Sequence, residues 1–277
     1  MLKSQFSIFN LRSSLIYFLS LFFASCDLIE YHPYDVNIDG PVGLIATNCN
    51  LIEHICAGKD TVRFAQISDS QRFYDQTERV VNDINSRADS IDFVIHTGDL
   101  TDFGLPKEYI WMRKVLSHLT MPYICVIGNH DCLGTGEAAF SRMYGADNYS
   151  LNASFLHIVG LNTNAYEYDY SKNVPDFSFM KQDILSIPDS VSTTVIAMHV
   201  APGMFLFNDN IAEYFDQVCR SYPNLQFCIC GHDHHGAVLY PFGPDGTPYI
   251  QCDDIKSCSY IIYTVTRNSY SYEVVQL

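Results

Sequence analysis

Side chains that bind divalent metals recur in five short groups along this 277-residue chain. In chain order, the groups are Asp69 with Gln71, Asp99 with Asp102, Asn129 with His130, His199, and His232 with His234. Carboxylate, amide and imidazole ligands together favour Mn²⁺, Fe or Zn²⁺ over Ca²⁺, and the lack of cysteine in the set disfavours soft metals. These residue types therefore predict a transition-metal site, provided that the fold brings them together.

Each group on its own has an ordinary structural explanation. Asp69 could cap the helix that follows it, Asn129 could be a turn residue, and His199 could be a buried histidine with hydrogen-bonded partners. A Gly-Asp pair after a strand, as at Asp99, is usually a turn. The prediction therefore depends on where the groups lie relative to the secondary structure.

Three of the groups follow apolar runs that predict buried strands. The runs are Val62–Ile67, Phe93–Ile95 and Pro122–Ile127. Between them, helices are predicted from about Asp75 to Arg87, with a capping box of Asp75 and Glu78, and from about Pro106 to Leu119. The intervals from 69 to 99 and from 99 to 129 are 30 residues each, and such strand-helix-strand connections give parallel strands. All three turns should therefore lie at one sheet edge, where α/β sheets bind ligands.

The second half of the chain continues this pattern, since apolar runs lead into His199 and into His232. The predicted strands are Ser154–Leu161, Thr193–Met198, Gln226–Cys230, Ser259–Val265 and Ser271–Val275. A helix is predicted over Asp209–Tyr222. Because few helical signals occur around Ser154–Leu161, Ser259–Val265 and Ser271–Val275, a second sheet is expected.

Taken together, these motifs resemble the calcineurin-like metallophosphoesterase superfamily. In order, the resemblance is carried by Asp69-x-Gln71, Gly98-Asp99-x-x-Asp102, Gly128-Asn129-His130-Asp131, His199 and Gly231-His232-x-His234. It covers approximately residues 61–277. The resemblance implies an α/β fold with two packed β-sheets flanked by helices, in a four-layer αββα arrangement.

The resemblance also implies a role for each residue. Asp69, Gln71, Asp99 and His234 would hold one divalent ion, and Asp99, Asn129, His199 and His232 would hold the other. Two ions about 3.5–4 Å apart, bridged by Asp99, would activate a water that attacks the phosphoester. His130 would contact the phosphoryl group and protonate the leaving oxygen, with Asp102 orienting it. Asp131 and Asp233 are expected to be structural.

One position departs from the common pattern of the family. Many members have histidine where this chain has Gln71, and an amide oxygen is a weaker ligand than an imidazole. Branches that cleave pyrophosphate or phosphodiester bonds in small nucleotide-derived molecules are similar in having glutamine there. The favoured function is therefore hydrolysis of a small phosphodiester or pyrophosphate, with phosphomonoesterase as the alternative. A metal-poor, non-catalytic ligand-binding lipoprotein is the alternative from another class.

The net charge of the chain indicates which kinds of partner it can bind. Its formal net charge is −15 at pH 7, so most of its surface would repel a long phosphate backbone. Nucleic acid is therefore disfavoured, and a small phosphorylated substrate is expected. The hydrophobic fraction of 48% is sufficient for a large core and does not indicate disorder.

Residues 1–25 predict a lipoprotein signal peptide. Their apolar run, Leu15–Ala24, is shorter than the roughly 20 residues needed to span a bilayer. The sequence Phe23-Ala24-Ser25-Cys26 resembles a bacterial lipobox, with Phe23 in place of the usual leucine-like residue. The alternative is an apolar helix packed on the domain.

The expected organisation has three parts: the signal peptide over 1–25, a tether and N-terminal extension over 26–60, and a metallophosphoesterase domain over 61–277. The chain would be an exported lipoprotein, anchored to a bacterial membrane through a lipid on Cys26 and facing the periplasm or the cell exterior.

Ten cysteines in an exported chain suggest disulfides. The pairs close enough in sequence to form them are Cys49 with Cys56 and Cys252 with Cys258. By contrast, Cys125, Cys228 and Cys230 lie in apolar runs and are expected to be small buried hydrophobic residues.

Overall fold

Two β-sheets packed face to face form the centre of the protein in a computed structural model that describes residues 32–168 and 171–277. Residues 36–277 belong to one compact unit. The other unit, residues 1–35, is described only over 32–35, where Asp35 N donates to His32 O (2.9 Å) in a turn. The predicted signal peptide and Cys26 lie outside the described residues. Within the two described ranges, no helix combines the length and apolarity needed to cross a bilayer.

The first sheet contains the three strands predicted before the polar turns. Its strands are β1 (Thr61–Ile67), β2 (Phe93–His96), β3 (Tyr123–Cys125), β10 (Ser259–Thr266) and β11 (Tyr270–Gln276). Their order is β11-β10-β1-β2-β3, with β1, β2 and β3 parallel and the two C-terminal strands antiparallel. The C-terminal strands therefore extend this sheet and leave the second sheet to the middle of the chain.

The second sheet has a parallel centre with an antiparallel strand at each edge. Its strands are β4 (Tyr149–Ala153), β5 (Leu156–Leu161), β6 (Thr193–Met198), β7 (Leu225–Cys230), β8 (Ala237–Leu239) and β9 (Tyr249–Gln251). Their order is β4-β5-β6-β7-β9-β8, and β5, β6, β7 and β9 are parallel.

Helices cover the outer faces of both sheets. In the described ranges, the α-helices are α1 (Leu44–Cys56), α2 (Tyr74–Ser86), α3 (Pro106–Leu116), α4 (Gly136–Met143), α5 (Phe177–Ser186) and α6 (Ala212–Cys219). Helices α2 to α4 pack with the first sheet, α1 contacts both β3 and β4, and α5 and α6 pack against the second sheet. The predicted α/β fold of two packed sheets flanked by helices is confirmed.

Alternation along β6 explains how its sheet can be buried on both faces. Val195 and Ala197 belong to the large core that includes the first sheet, whereas Ile196 and Met198 pack with residues of α5 and α6. Successive strand residues point to opposite faces, so a continuous apolar run is what a sheet covered on both sides requires.

Several predicted boundaries differ from the structure. The capping box of Asp75 and Glu78 is not formed, because α2 already begins at Tyr74 and places Asp75 inside its first turn. The first part of the predicted helix 209–222 is a 3₁₀ turn, Asp209–Ile211, and α6 ends at Cys219. Helix α1 lies inside the predicted extension 26–60, and its Ile45 and Ile52 are buried in the core.

The predicted disulfides are absent, and all nine cysteines among the described residues are free. Cys49 and Cys56 are two turns apart in α1, about 10 Å along its axis, which is beyond the reach of a disulfide. Cys252 follows β9 and its thiol donates to Gln66 O (3.7 Å), whereas Cys258 lies beyond a 3₁₀ turn in left-handed conformation. The burial predicted for Cys125, Cys228 and Cys230 is confirmed.

Candidate metal centre

All five polar groups lie at the carboxyl ends of parallel strands, on one edge of the two-sheet core. Asp69 follows β1, Asp99 follows β2, Asn129 follows β3, His199 follows β6 and His232 follows β7. Asp69, Gln71, Asp99 and His199 are almost completely buried. The strand order thus brings side chains that are far apart in sequence to one place.

The turns after β1 and β2 are tied together through their main chains. Asp69 N donates to Gly98 O and Gln71 N donates to Asp99 O, both at 3.0 Å. Asp69 (φ 53°) and Asp99 (φ 59°) both adopt the left-handed conformation, which costs a residue other than glycine about 1–3 kcal/mol. Such strain is typical of functional sites, where the surrounding structure holds a side chain in a required position.

Two glycines allow the strand ends to approach these carboxylates. A Cβ atom on Gly128 would lie 2.1 Å from Asp99 Oδ1. A Cβ atom on Gly231 would lie 2.0 Å from Ser68 Oγ and 2.6 Å from Asp69 Oδ2. Any side chain at either position would therefore displace a predicted metal ligand.

One cluster of predicted ligands is centred on Asn129. Its Oδ1 lies 3.0 Å from both His199 Nε2 and His232 Nδ1. His199 Nε2 is also 3.4 Å from Asp99 Oδ2. The four residues predicted to share an ion thus have their ligand atoms close together.

The second cluster is built from the turns after β1 and β7. His234 Nε2 lies 3.3 Å from Asp69 Oδ1, and Gln71 Nε2 lies 3.5 Å from Asp99 Oδ2. Asp99 therefore contacts both clusters. Ligand atoms of Asp69, Asp99 and His199 all lie within 4.8 Å of one another.

A buried oxygen in this cluster indicates that a cation fits. Within the described part of the chain, no donor makes a hydrogen bond to Gln71 Oε1, although the residue is only 1% exposed. An unsatisfied buried acceptor costs about 1–3 kcal/mol, and a metal ion would satisfy it. Together with the carboxylate and imidazole donors, this oxygen provides a suitable set for divalent transition metals.

The residues of the two clusters shift one another's pKa values. Burial raises the pKa of Asp69, but His234 and His199 outweigh that effect and hold the pKa below its ordinary value. Burial lowers the pKa of His199, but the carboxylates of Asp99 and Asp69 raise it to about 10. Burial, reinforced by the charge of His199, lowers the pKa of His232.

The hydrogen bonds of His199 fit an imidazole ring that carries a hydrogen on both nitrogens. Its Nδ1 donates to Thr97 O (2.8 Å) and its Nε2 faces Asn129 Oδ1, so both ring nitrogens face acceptors. A metal ion that binds Nε2 must replace the proton there, while the bond to Thr97 keeps the ring oriented.

His130 lies beside the clusters without joining them. Its main-chain N donates to Asp99 Oδ1 (3.0 Å), and its side chain is 34% exposed. Its Nδ1 donates to Asp102 O (2.8 Å), whereas the Asp102 carboxylate is 3.9 Å away. A carbonyl only accepts, so Nδ1 carries hydrogen and Nε2 is the nitrogen that can exchange a proton. The hydrogen bond that holds the His130 ring therefore comes from the main chain of Asp102 and not from its carboxylate.

Asp131 is structural, as predicted. It is fully buried, and its carboxylate accepts from Leu100 N (3.1 Å), Thr101 N (2.9 Å) and Gly128 N (3.0 Å). Burial and the nearby Asp99 raise its pKa to about 6, even though these hydrogen bonds oppose the increase. Asp131 thereby joins the turn after β2 to the turn after β3.

Two contributors to the site were not predicted. One is the Thr97 carbonyl that orients His199, and a main-chain acceptor leaves no signal in the sequence. The other is Arg72, whose Nη2 lies 3.1 Å from Asp102 Oδ1. Its position next to Gln71 was visible in the sequence, but its contact with Asp102 was not.

Comparisons with known proteins agree with this geometry. A sequence model described as calcineurin-like phosphoesterase matches residues 62–236. The glycerophosphodiester phosphodiesterase GpdQ of Enterobacter lignolyticus is 26% identical over 175 residues, which cover 56% of this chain and 60% of the relative. A 3′,5′-cyclic-nucleotide phosphodiesterase of Nostoc, alr5338, is 23% identical over 152 residues, which cover 52% of this chain and 56% of the relative. The chain thus spans 60% or less of the length of these relatives.

Among solved structures, a dimetal phosphatase from Danio rerio has a similar fold. The TM-score is 0.58 with 14% sequence identity, and the alignment covers 76% of this chain and 98% of the other. At this identity, the likeness concerns the fold alone.

Proposed function

Because the chain belongs to the calcineurin-like phosphoesterase family, we propose that it hydrolyses a phosphodiester or pyrophosphate bond of a small molecule, using two divalent metal ions. The observation that carries the proposal is the convergence of the predicted ligands around Asp99, with the buried, unsatisfied oxygen of Gln71 among them. Two relatives named as phosphodiesterases favour a diester-type bond. The acidic surface favours a small substrate over a nucleic acid.

The chain's own residues would hold the ions in two overlapping sets. Asp69, Gln71, Asp99 and His234 form the first set, and Asp99, Asn129, His199 and His232 form the second. Bound there, two divalent ions would activate a water and neutralise charge on the phosphoryl oxygens. Asp99, which contacts both clusters, supplies the negative charge that lets two cations lie close together.

His130 would act on the leaving group. The bond from Nδ1 to the Asp102 carbonyl fixes the ring and leaves Nε2 free to deliver a proton to the leaving oxygen. Its partial exposure lets it reach a substrate, while its main-chain bond to Asp99 keeps it beside the metal ligands.

Hydrolysis of a matched pair of chromogenic substrates tests this function. With Mn²⁺ present, the protein should cleave bis(4-nitrophenyl) phosphate with a higher kcat/KM than 4-nitrophenyl phosphate. The reverse preference would identify a phosphomonoesterase. Cleavage of neither compound would contradict the proposal, and a low content of bound metal alongside would support the metal-poor, ligand-binding alternative.

The Gln71→His variant should bind the first metal more tightly. An imidazole is a better ligand for Mn²⁺, Fe or Zn²⁺ than an amide oxygen, so the dissociation constant should fall by about tenfold or more. Competition with a chromogenic chelator at neutral pH measures this, with circular dichroism as the control for folding. Unchanged affinity in a folded variant would remove Gln71 from the ligand set.

We also propose that the protein is an exported lipoprotein attached to the membrane through Cys26, as the lipobox-like sequence predicts. The Cys26→Ser variant should then be found in the soluble fraction of cells and should remain folded, because the change removes the lipid and leaves the domain intact. Cell fractionation with a high-salt wash separates a lipid anchor from charge-dependent binding. A variant that still resists the wash would exclude this anchor.

A further inference from the structure

Arg72 is placed at the rim of the metal centre without a role in holding it. It directly follows Gln71 and has a left-handed backbone (φ 57°). Its side chain is 63% exposed and, among the described residues, Asp102 alone provides it with a carboxylate, at 3.1 Å. The turn that carries it is fixed by the bond from Gln71 N to Asp99 O.

Arg72 lies on the same side of the site as His130. Asp102 contacts both residues: its carboxylate faces Arg72, and its carbonyl accepts from His130 Nδ1 (2.8 Å). In the proposed function, His130 acts on the leaving oxygen. Arg72, bound to the same residue, therefore lies on the leaving-group side.

The chemistry of Arg72 fits an anion on that side. A guanidinium has several N–H donors, and the contact with Asp102 engages Nη2, which leaves the other nitrogens for a phosphate. The guanidinium is 63% exposed although its partner Asp102 is mostly buried, so a ligand at the rim of the site can reach it. The carboxylates of Asp69, Asp99 and Asp102 would otherwise repel a second anionic group.

We propose that Arg72 is a specificity-determining residue that binds the departing phosphate, so that the protein prefers pyrophosphate bonds to diesters with an uncharged leaving group. This inference rests on the proposed function. In the reaction, water oxygen bonds to one phosphorus while the bond from that phosphorus to the bridging oxygen breaks. The bridging oxygen departs on the second phosphate, and the two protons of the water are divided between the two phosphate monoester products.

The test compares bis(4-nitrophenyl) pyrophosphate with bis(4-nitrophenyl) phosphate, which have the same end groups. Replacing a charge-assisted contact in Arg72→Gln should lower kcat/KM for the pyrophosphate by about 10- to 100-fold. The loss for the diester should be several times smaller. Arg72→Lys, which keeps the charge but not the planar fork, should fall between wild type and Arg72→Gln.

Arg220, the C-cap residue of α6, provides a matched control. Its side chain is 53% exposed, and it pairs with the mostly buried Asp216 in the same helix. Arg220→Gln should leave both substrates unaffected. An equal loss for both substrates in Arg72→Gln, or no loss for either, would overturn the proposal. Metal content measured alongside should stay at the wild-type level, and a fall would indicate a structural role and also overturn it. A wild-type protein that cleaves neither compound would instead contradict the proposed function itself.

Discussion

Asp99→Asn is expected to abolish both the pairing of metal ions and turnover. The Asp99 carboxylate contacts both ligand clusters, with Oδ2 3.4 Å from His199 Nε2 and 3.5 Å from Gln71 Nε2. Asparagine keeps the shape of the side chain but removes the charge that allows two cations to lie together. Metal content should fall below two ions per chain, and kcat/KM should drop by at least about 10³-fold, since bound metal contributes several kcal/mol to the transition state.

The matched control for this variant is Asp233→Asn. Asp233 lies between His232 and His234, is expected to be structural, and loses the same unit of charge in the variant. It should retain both metals and most of the activity. Metal analysis by mass spectrometry together with steady-state kinetics distinguishes the two variants. An Asp99→Asn protein that keeps two ions and a wild-type rate would exclude Asp99 as the shared ligand.

His130→Ala is expected to lose activity while keeping its metals. His130 belongs to neither ligand cluster, and losing a general acid typically costs about 10²–10⁴-fold in rate. The loss should be smallest for bis(4-nitrophenyl) phosphate, because nitrophenolate needs little protonation to leave. It should be largest for a diester with an alkoxide leaving group, such as sn-glycero-3-phosphocholine.

His235→Ala controls for the loss of an imidazole near the site. Like His130, His235 has an Nδ1 that donates to a main-chain oxygen, Asp233 O at 2.9 Å. It is exposed, and among the described residues no hydrogen bond or ion pair joins its side chain to a predicted ligand. Its kinetics should resemble those of wild type with both leaving groups. A His130→Ala protein without metal, or one with the same loss for both leaving groups, would argue against a general acid.

The central strands could be predicted because both faces of each sheet are covered. Strands β2 and β6 are buried at every residue, and such strands appear in the sequence as short apolar runs. Helix α1 was not predicted, because it follows Gly43 and no side chain caps it, so the sequence has no capping signal at its start. Strands β8 and β9 have three residues each, which is too few for a periodic pattern.

The site could be predicted at the level of residues but not of atoms. Short crossovers require the turns after β1, β2 and β3 to lie at one edge, so the meeting of Asp69, Asp99 and Asn129 follows from the order of elements. The contact between His130 and the carbonyl of Asp102 depends on the path of the main chain, which spacing in the sequence does not specify. For the same reason, the contact between Arg72 and Asp102 becomes visible only in three dimensions.

Titration of metal-stripped protein with Mn²⁺ tests the two-metal site most directly. Bound metal and the hydrolysis of bis(4-nitrophenyl) phosphate are measured at each addition. The predicted result is that two ions bind per chain and that the rate rises to its maximum only as the second site fills. Full occupancy of both sites with no cleavage, or a rate that does not depend on bound metal, would contradict a two-metal phosphoesterase.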